Sequence, residues 1–214
     1  MTKLKVAEIF ESISGEVGMF PQGSPVTFLR LAGCNLQCPW CDTKWANEND
    51  FGTEMTVDEV IKAVGKFHWG SILITGGEPL VQKVQVQELV YRLKTLGYRI
   101  QMETNGSIRV DDVQMVDCWV IDYKGEDSMG EAFYEFNPGI LSNKVWIKYL
   151  VGSPSDLEKA ISMARIFLKD KIESRFAISP IEGKVSYLEC LSAVLKSKLP
   201  ILLNMQIHKK MGVR

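Results

Sequence analysis

Three cysteines lie within eight residues of this 214-residue chain, at Cys34, Cys38 and Cys41. Thiolates are the soft ligands that iron–sulfur clusters and zinc prefer, and one short loop can direct three of them at a single inorganic centre. Three ligands leave one coordination position open, whereas a structural zinc site usually takes four protein ligands. The loop therefore predicts a metal centre, and an iron–sulfur cluster with one open iron is favoured over structural zinc.

A fourth protein ligand for zinc would have to be Cys118, Cys190, His68 or His208. Cys118 lies in an apolar stretch and Cys190 lies on the apolar side of a predicted helix, where a free cysteine acts as a small hydrophobic residue. Both cysteines are therefore predicted to be buried core residues. A zinc-stabilised α/β binding module without catalysis remains the alternative from a different functional class.

The composition limits the classes of partner. The formal net charge is -1, with 46% hydrophobic and 24% charged residues, so the chain can bury one sizeable core and residues 1–214 are predicted to form a single domain. Without a basic excess, nucleic acid is not expected as the partner. No window approaches the roughly 20 apolar residues of a membrane span, and clustered thiols suit a reducing compartment, so a cytoplasmic protein is predicted.

The elements that must position the cysteines alternate between two hydrophobic periods, which predicts an α/β fold. Helices are predicted after Thr56, where Glu59 completes a capping box, from Val84 to Leu96, and after Ser155. The segment Gly125–Asn143 shows neither period and is predicted to be a loop near substrate or cofactor. Strands are predicted at Val26–Leu31, Ser71–Thr75, Arg99–Thr104, Cys118–Asp122, Lys144–Val151, Phe176–Ser179 and Ile201–Gln206.

Unusual polar residues follow these predicted strands. Strands that alternate with helices indicate a parallel sheet, either open or curled into part of a barrel, and such sheets place their sites at the carboxyl ends of the strands. The site is therefore expected at that edge. The motifs found there are Cys34, Gly76–Pro79, Glu103–Gly106, Asp122–Lys124, Lys148, Ser179–Pro180 and Gln206–His208.

The C-x3-C-x2-C spacing, with Trp40 just before the last cysteine, resembles the radical S-adenosylmethionine (SAM) superfamily, and Gly76-Gly-Glu-Pro79 resembles its GGEP motif. The resemblance implies a [4Fe–4S] cluster whose open iron binds SAM, with electron transfer that yields a 5′-deoxyadenosyl radical. It also implies a set of SAM-binding residues: Trp40, Cys41, Asp42, Gly77, Glu78, Glu103, Asp122, Lys124 and Ser179.

Four segments together resemble the 7-carboxy-7-deazaguanine synthase family: Glu8–Glu16, Phe28–Gly33, Cys41–Thr43 and Gln206–Lys209. This resemblance covers essentially the whole chain. It implies an incomplete (βα)6 partial TIM barrel, a homodimer, and reduction by a partner such as flavodoxin or ferredoxin. The implied reaction is a lyase reaction of 7-deazapurine (queuosine-type) biosynthesis, a Mg²⁺-assisted ring contraction of 6-carboxy-5,6,7,8-tetrahydropterin to 7-carboxy-7-deazaguanine with release of ammonia.

The family resemblance also implies site residues for substrate and Mg²⁺. Arg30 would pair with the substrate carboxylate, because its planar fork suits a carboxylate. The hydroxyl of Thr43 would coordinate Mg²⁺, which takes hard oxygen ligands. Glu16 and His208 are further candidates for substrate or acid–base roles. The remaining substrate-binding residues are Ile13, Ser14, Gly15 and Thr75. Family sequences usually place a second glycine directly after Gly15-Glu16, and Val17 stands there in this chain.

The nearest alternative among enzymes is a glycyl-radical-enzyme activating enzyme. Such enzymes share the C-x3-C-x2-C spacing but abstract hydrogen from the backbone of a partner protein. Arg30, Thr43 and the early Ile-Ser-Gly-Glu segment favour a small carboxylated substrate instead.

Overall fold

The computed structural model describes residues 2–47, 51–130, 135–137, 145–170 and 175–213. Its strands are β1 (Lys3–Ile13), β2 (Pro25–Leu31), β3 (Thr53–Thr56), β4 (Ser71–Gly76), β5 (Arg99–Thr104), β6 (Cys118–Tyr123), β7 (Val145–Val151), β8 (Arg175–Pro180) and β9 (Leu202–Leu203). Its α-helices are α1 (Val57–Val64), α2 (Lys83–Thr95), α3 (Glu126–Met129), α4 (Pro154–Asp170), α5 (Tyr187–Ser197) and α6 (Ile207–Met211). Short 3₁₀ helices span Lys44–Asn47, Pro79–Gln82 and Val110–Asp112.

The strands form one nine-stranded sheet in the order β3-β1-β2-β4-β5-β6-β7-β8-β9. All neighbours from β2 to β9 are parallel, and β1 and β3 add an antiparallel edge. The predicted α/β fold is confirmed, and the linear strand order fits an incomplete barrel, because the edge strands β3 and β9 are not neighbours.

Alternating side chains in the parallel strands face two different environments. In β5, Ile100 and Met102 join the main core beside Leu89 and Leu93 of α2. The intervening residue Gln101 points to the other side of the sheet, where its Oε1 accepts a hydrogen bond from a loop. The helix layer therefore covers one face, and the period of two leaves the opposite face to build the barrel interior.

Residues 14–24, which connect β1 to β2, fill part of that interior. Val17 packs in a buried cluster with Val120 and Trp146, and Phe20 packs against the inner side of β4. Gly15 and Glu16 of this segment line the cavity described below.

The predicted strand from residue 201 to 206 was too long. Only Leu202 and Leu203 pair with β8. The backbone N–H of Asn204 still donates to the carbonyl of Ile178 at 2.8 Å, and its side chain bonds within the barrel interior. β1 and β3 were not predicted, because their polar and apolar residues mix without a clean alternation. Within the predicted loop 125–143 the structure contains α3, and residues 131–134 and 138–143 lie outside the described part.

Two predicted caps have different outcomes. The capping box of Thr56 and Glu59 at the start of α1 is confirmed. The predicted cap at Ser155 is wrong: Ser153 Oγ accepts the backbone N–H of Asp156 at 3.0 Å, and α4 begins with the proline that follows Ser153. Proline suits the first helical position because its missing N–H would have no intrahelical partner there.

The prediction that Cys118 and Cys190 are core residues is confirmed. Both thiols are free and buried, and burial raises the pKa of each to about 11. Within the described residues, no helix combines the length and apolar character needed to cross a bilayer.

Candidate active site

A cavity of about 480 Å³ opens at the carboxyl ends of the parallel strands. That volume lies in the usual range for a small-molecule site. Of the residues predicted from sequence, the structure brings the following to its walls: Gly15, Glu16, Arg30, Cys34, Cys38, Trp40, Cys41, Asp42, Thr43, Thr75, Gly77, Glu103, Asp122, Lys124, Ser179 and His208.

The cysteine loop follows β2 and is anchored at both ends. Gly33, at φ +87°, donates its N–H to the carbonyl of Ala46 at 2.8 Å and accepts from the N–H of Glu78 at 2.8 Å. The Lys44 ammonium donates to the carbonyl of Pro39 inside the loop. These bonds hold the three cysteines on one wall of the cavity.

The donor set suits a cluster better than a single ion. All three cysteines face one cavity, yet among the described residues no three His, Cys, Asp or Glu side chains meet in an arrangement for one metal ion. A four-iron cluster is wider than an ion and takes cysteine ligands that are spread apart. The structure therefore gives no support to the structural zinc site.

The two glycines of the GGEP motif permit close contact between the strand end and the cysteine loop. A Cβ on Gly76 would lie 2.3 Å from the carbonyl oxygen of Leu31, and a Cβ on Gly77 would lie 2.1 Å from that of Gly33. Only glycine fits at these two positions, so the backbone of Gly77 reaches the cavity wall.

Glu78 lies behind the cavity wall. It is fully buried, and its carboxylate accepts hydrogen bonds from the N–H of Leu80 (2.9 Å), the hydroxyl of Thr104 (2.8 Å) and the N–H of Asn105 (2.7 Å). Burial raises the pKa of Glu78, although these three donors act in the opposite direction. The side chain thus joins the ends of β4 and β5, and the structure does not place it at the cavity.

A buried ionic cluster lies at the centre of the site. Lys148 forms ion pairs with Glu16 and, at 3.0 Å, with Asp122, which also accepts a hydrogen bond from Lys124 at 2.9 Å. Burial alone would raise the pKa of Glu16, but the Lys148 charge and a hydrogen bond from Gln206 lower it to about 2. Glu16 is therefore ionised at neutral pH and fixed in position.

Glu103 has a different charge state. Its carboxyl accepts a hydrogen bond from the Thr75 hydroxyl at 3.1 Å. Burial raises its pKa to about 7, the Lys148 charge opposes that rise, and the charge of Glu16 adds to it. Glu103 is thus a carboxyl that can gain or lose a proton near neutral pH.

Arg30 is oriented by a residue on the neighbouring strand. Glu8 lies opposite Arg30 in the β1–β2 register and accepts its Nε–H at 2.9 Å. In the β2–β4 register Arg30 lies beside Thr75, so both side chains reach the same part of the cavity. The guanidinium also lies 6.0 Å from the centre of the Trp45 ring.

Residues after the third cysteine line the cavity mouth. The Thr43 hydroxyl lies 3.6 Å from Cys41 Sγ, and Asp42 accepts a hydrogen bond from Lys209 at 2.6 Å. Burial would raise the pKa of Asp42, but the bond to Lys209 lowers it. This ion pair connects the cysteine loop to α6.

The predicted substrate turn contributes one residue to the cavity. Ser14 is fully buried; its N–H and carbonyl bond to Ser24 and Gly23, and its hydroxyl donates to the carbonyl of Phe20. Ile13 and Ser14 do not line the cavity, whereas Gly15 does.

His208 packs directly on Gly15. A Cβ on Gly15 would lie 2.1 Å from His208 Nδ1, and the carbonyl of Gly15 accepts the N–H of Ile207 at 3.0 Å. Burial lowers the pKa of His208, although the charge of Glu16 opposes this. The imidazole is therefore neutral at pH 7.

Asn204 was missed from sequence because it lay inside the predicted last strand. Its Oδ1 accepts the N–H of Val17 at 2.8 Å, and its Nδ2 donates to Ser179 Oγ at 3.0 Å and to Glu16 at 3.2 Å. It is fully buried. Glu8 was missed for a related reason, since β1 was not predicted and its partner strand was therefore unknown.

Comparison with known proteins assigns the chain to a family. The family model of the radical SAM superfamily matches residues 29–116. The 7-carboxy-7-deazaguanine synthase of Methanospirillum hungatei is 37% identical over 213 residues, covering 98% of this chain and 86% of that protein. That of Clostridium acetobutylicum is 38% identical and covers 96% of this chain and 94% of that protein. The chain belongs to the 7-carboxy-7-deazaguanine synthase family.

A solved structure supports the fold. The crystal structure of QueE from Escherichia coli matches with a TM-score of 0.76 at 24% sequence identity, covering 96% of this chain and 95% of that one. Family membership confirms the predictions of a radical SAM lyase and of its two cofactors, a [4Fe–4S] cluster and SAM. The activating-enzyme and zinc-module alternatives are not supported.

Proposed function

We propose that this chain converts 6-carboxy-5,6,7,8-tetrahydropterin to 7-carboxy-7-deazaguanine, with release of ammonia, in the cavity described above. The observation that carries the proposal is that the three cysteines, Arg30 and Thr75 line one cavity of about 480 Å³. The cofactor and a small carboxylated substrate can therefore bind next to each other in the same cavity.

The cofactor occupies the side of the cavity next to the cysteine loop. When bound, the cluster and SAM together supply the radical that removes hydrogen from the substrate. Trp40 donates its indole N–H to the carbonyl of Ser128 at 3.2 Å, and the Lys124 ammonium lies 5.5 Å from the centre of the Trp40 ring. These contacts fix an aromatic wall and a cation in the cavity that Gly77 also lines, where they would bind and orient the methionine and adenosine parts.

The substrate occupies the side next to Arg30 and Thr75. The Arg30 guanidinium pairs with the substrate carboxylate, while Glu8 fixes the orientation of the fork. Gly15 lines the same cavity and has no side chain, so it would meet the ring through its backbone.

Two groups are suited to hold or move the proton that leaves with ammonia. Glu103, whose pKa burial raises to about 7, lies beside Thr75, and His208 is neutral at the same pH. Glu16 is less suited, because the Lys148 charge, working against burial, holds its pKa at about 2.

Magnesium would be bound by the Thr43 hydroxyl together with oxygens of the substrate and water. Mg²⁺ keeps several waters and needs few protein ligands, which fits a single hydroxyl on the cavity wall. We further propose a single domain over residues 1–214, a homodimer, reduction by flavodoxin or ferredoxin, and a cytoplasmic location where thiols stay reduced.

The test is anaerobic turnover. The reconstituted, reduced chain is incubated with SAM, Mg²⁺ and 6-carboxy-5,6,7,8-tetrahydropterin, and the product is followed by mass spectrometry. We expect 7-carboxy-7-deazaguanine with the parent chain and with Gly70→Ala, an exposed control, and its loss with Cys34→Ala and Arg30→Ala. Formation of 5′-deoxyadenosine without that product would contradict the substrate assignment, and a chain that assembles no cluster would contradict the whole proposal.

A further inference from the structure

Two asparagine side chains lie against sulfur atoms of the cysteine loop. Asn47 Nδ2 lies 3.7 Å from Cys41 Sγ, and Asn105 Nδ2 lies 3.7 Å from Cys34 Sγ. In each contact the amide N–H donates to the sulfur. The contacts proposed above for cofactor and substrate use neither asparagine side chain.

We propose that Asn47 and Asn105 raise the reduction potential of the cluster held by the cysteine loop. On reduction one electron passes from an external reductant, which is oxidised, to the cluster, and no bond forms or breaks. The cluster and its thiolates then carry more negative charge. Hydrogen bonds to the sulfurs stabilise that charge, so they favour the reduced form over the oxidised form.

The orientation of the Asn105 amide is fixed by its other bonds. Its Oδ1 accepts both the N–H of Ser107 at 2.9 Å and the hydroxyl of Ser107 at 2.6 Å, and its Nδ2 also donates to Asn35 at 3.1 Å. A rotated amide would turn its own N–H toward the N–H of Ser107 and bring two oxygens together at Asn35, so both of those bonds would be lost. The nitrogen therefore faces Cys34, and the side chain, which is 5% exposed, is held rigidly there.

The orientation of the Asn47 amide follows from electrostatics. Its Oδ1 is buried beside Gly77 and has no hydrogen-bond partner within the described residues. Rotation of the amide would direct this oxygen at the Cys41 sulfur and bring two electron-rich atoms together. The unpaired oxygen is consistent with an amide whose position is set by its contact with sulfur, since buried polar atoms are otherwise almost always paired.

The inference rests on the cluster in the proposed function and not on the substrate. The test is therefore a redox titration of the reconstituted chain, monitored by electron paramagnetic resonance (EPR) without SAM or substrate. Asn47→Leu and Asn105→Leu remove one donor each. Gln37→Leu is the matched control, because Gln37 is an exposed amide in the same loop. We expect each asparagine variant to titrate at a more negative potential than the parent chain, the double variant to shift by the sum, and the control to stay unchanged.

Each outcome separates this inference from the proposed function. If the parent chain assembles no cluster, the proposed function fails. If clusters assemble and both single variants titrate at the parent potential, the role of the asparagines is wrong. Should a variant lose its cluster, pulsed EPR on the unmodified holoenzyme grown with ¹⁵N-asparagine takes its place. We expect ¹⁵N coupling to the reduced cluster, and its absence would overturn the inference.

Discussion

Arg30 owes its orientation to the register of two antiparallel strands. Glu8 lies directly across from it, and the pair is mostly buried, with 18% and 19% of the side chains exposed. A partly buried ion pair with a 2.9 Å hydrogen bond restricts the guanidinium more than a surface pair does. In the proposed function, Glu8 is therefore the residue that positions Arg30 for the substrate carboxylate.

Replacing Glu8 with leucine is expected to raise the KM for the pterin about tenfold, which corresponds to about 1.4 kcal/mol of lost binding, with little change in kcat. The reason is that Arg30 keeps its charge and loses only its fixed orientation. Steady-state kinetics measure this. The control is Glu11→Leu, an exposed residue on the same strand, and an equal KM effect in that variant would contradict the role of Glu8.

The stability of the protein should depend on pH through Glu103. Burial raises its folded-state pKa to about 7, above the ordinary value of 4.5. Between these values the folded chain binds more protons than the unfolded chain, so the free energy of unfolding falls as pH rises. The full effect is at most about 3 kcal/mol, at 1.36 kcal/mol per pKa unit. Anaerobic thermal unfolding at pH 5 and pH 7.5 measures this change. The free energy of unfolding of Glu103→Gln should fall less between these pH values than that of the parent chain. If the variant shows the same pH dependence as the parent chain, a group other than Glu103 is responsible.

At the scale of elements, the position of α6 depends on a few contacts, one of which requires a glycine. The helix has no buried residues of its own; His208 packs on Gly15, and Lys209 pairs with Asp42. A side chain at Gly15 would collide with the imidazole, so the glycine is what lets α6 approach this closely.

Gly15→Ala is expected to displace α6 and to lower kcat/KM about 100-fold, since a misplacement near 1 Å has effects of that order. The melting temperature should change little, because α6 buries little surface of its own. Gly70→Ala is the control, since a Cβ there would meet nothing within 4 Å. Equal kinetics for the two variants would show that α6 tolerates the methyl group.

The sequence predicted the elements whose hydrophobic period is clear. β5 and α1 fall in this group because their apolar residues face one side. β4 and β6 were predicted as short apolar runs, and apolar residues are buried on both of their faces. Site residues at strand ends were also predictable, since a parallel sheet gathers those ends at one edge. The burial of Glu78 and the contacts of Asn204 were not, because they depend on pairs of residues far apart in sequence.

At the scale of the whole molecule, the open side of the sheet is spanned by hydrogen bonds instead of a strand ladder. The segment after β1 and the segment after β9 are joined through Val17–Asn204, Glu16–Asn204, Glu16–Gln206, Gln22–Met205 and Gly15–Ile207. Asn204 is the buried centre of this connection and bonds to three residues at once.

Asn204→Leu is expected to lower the free energy of unfolding by about 3 kcal/mol, because it leaves the buried N–H of Val17 without its partner and removes a donor from both Ser179 and Glu16. The side chain of Gln22 joins the same two segments from an exposed position. Gln22→Leu should therefore lower the free energy of unfolding by only about 1 kcal/mol. Equilibrium unfolding in urea measures the free energy of unfolding of both variants. Similar losses in both variants would show that burial of the asparagine adds nothing.

The bonds across the open side have a consequence for the order of folding. The residues they join are 183 to 192 positions apart. Contacts of such separation form late, after the neighbouring strand and helix units have assembled from local contacts. During translation the two segments cannot meet until nearly the whole chain has been made. The cysteine loop, by contrast, is complete once the ends of β2 and β4 have come together. A nascent chain can therefore form the cavity wall that carries the three cysteines well before it forms the bonds around Glu16 and Asn204.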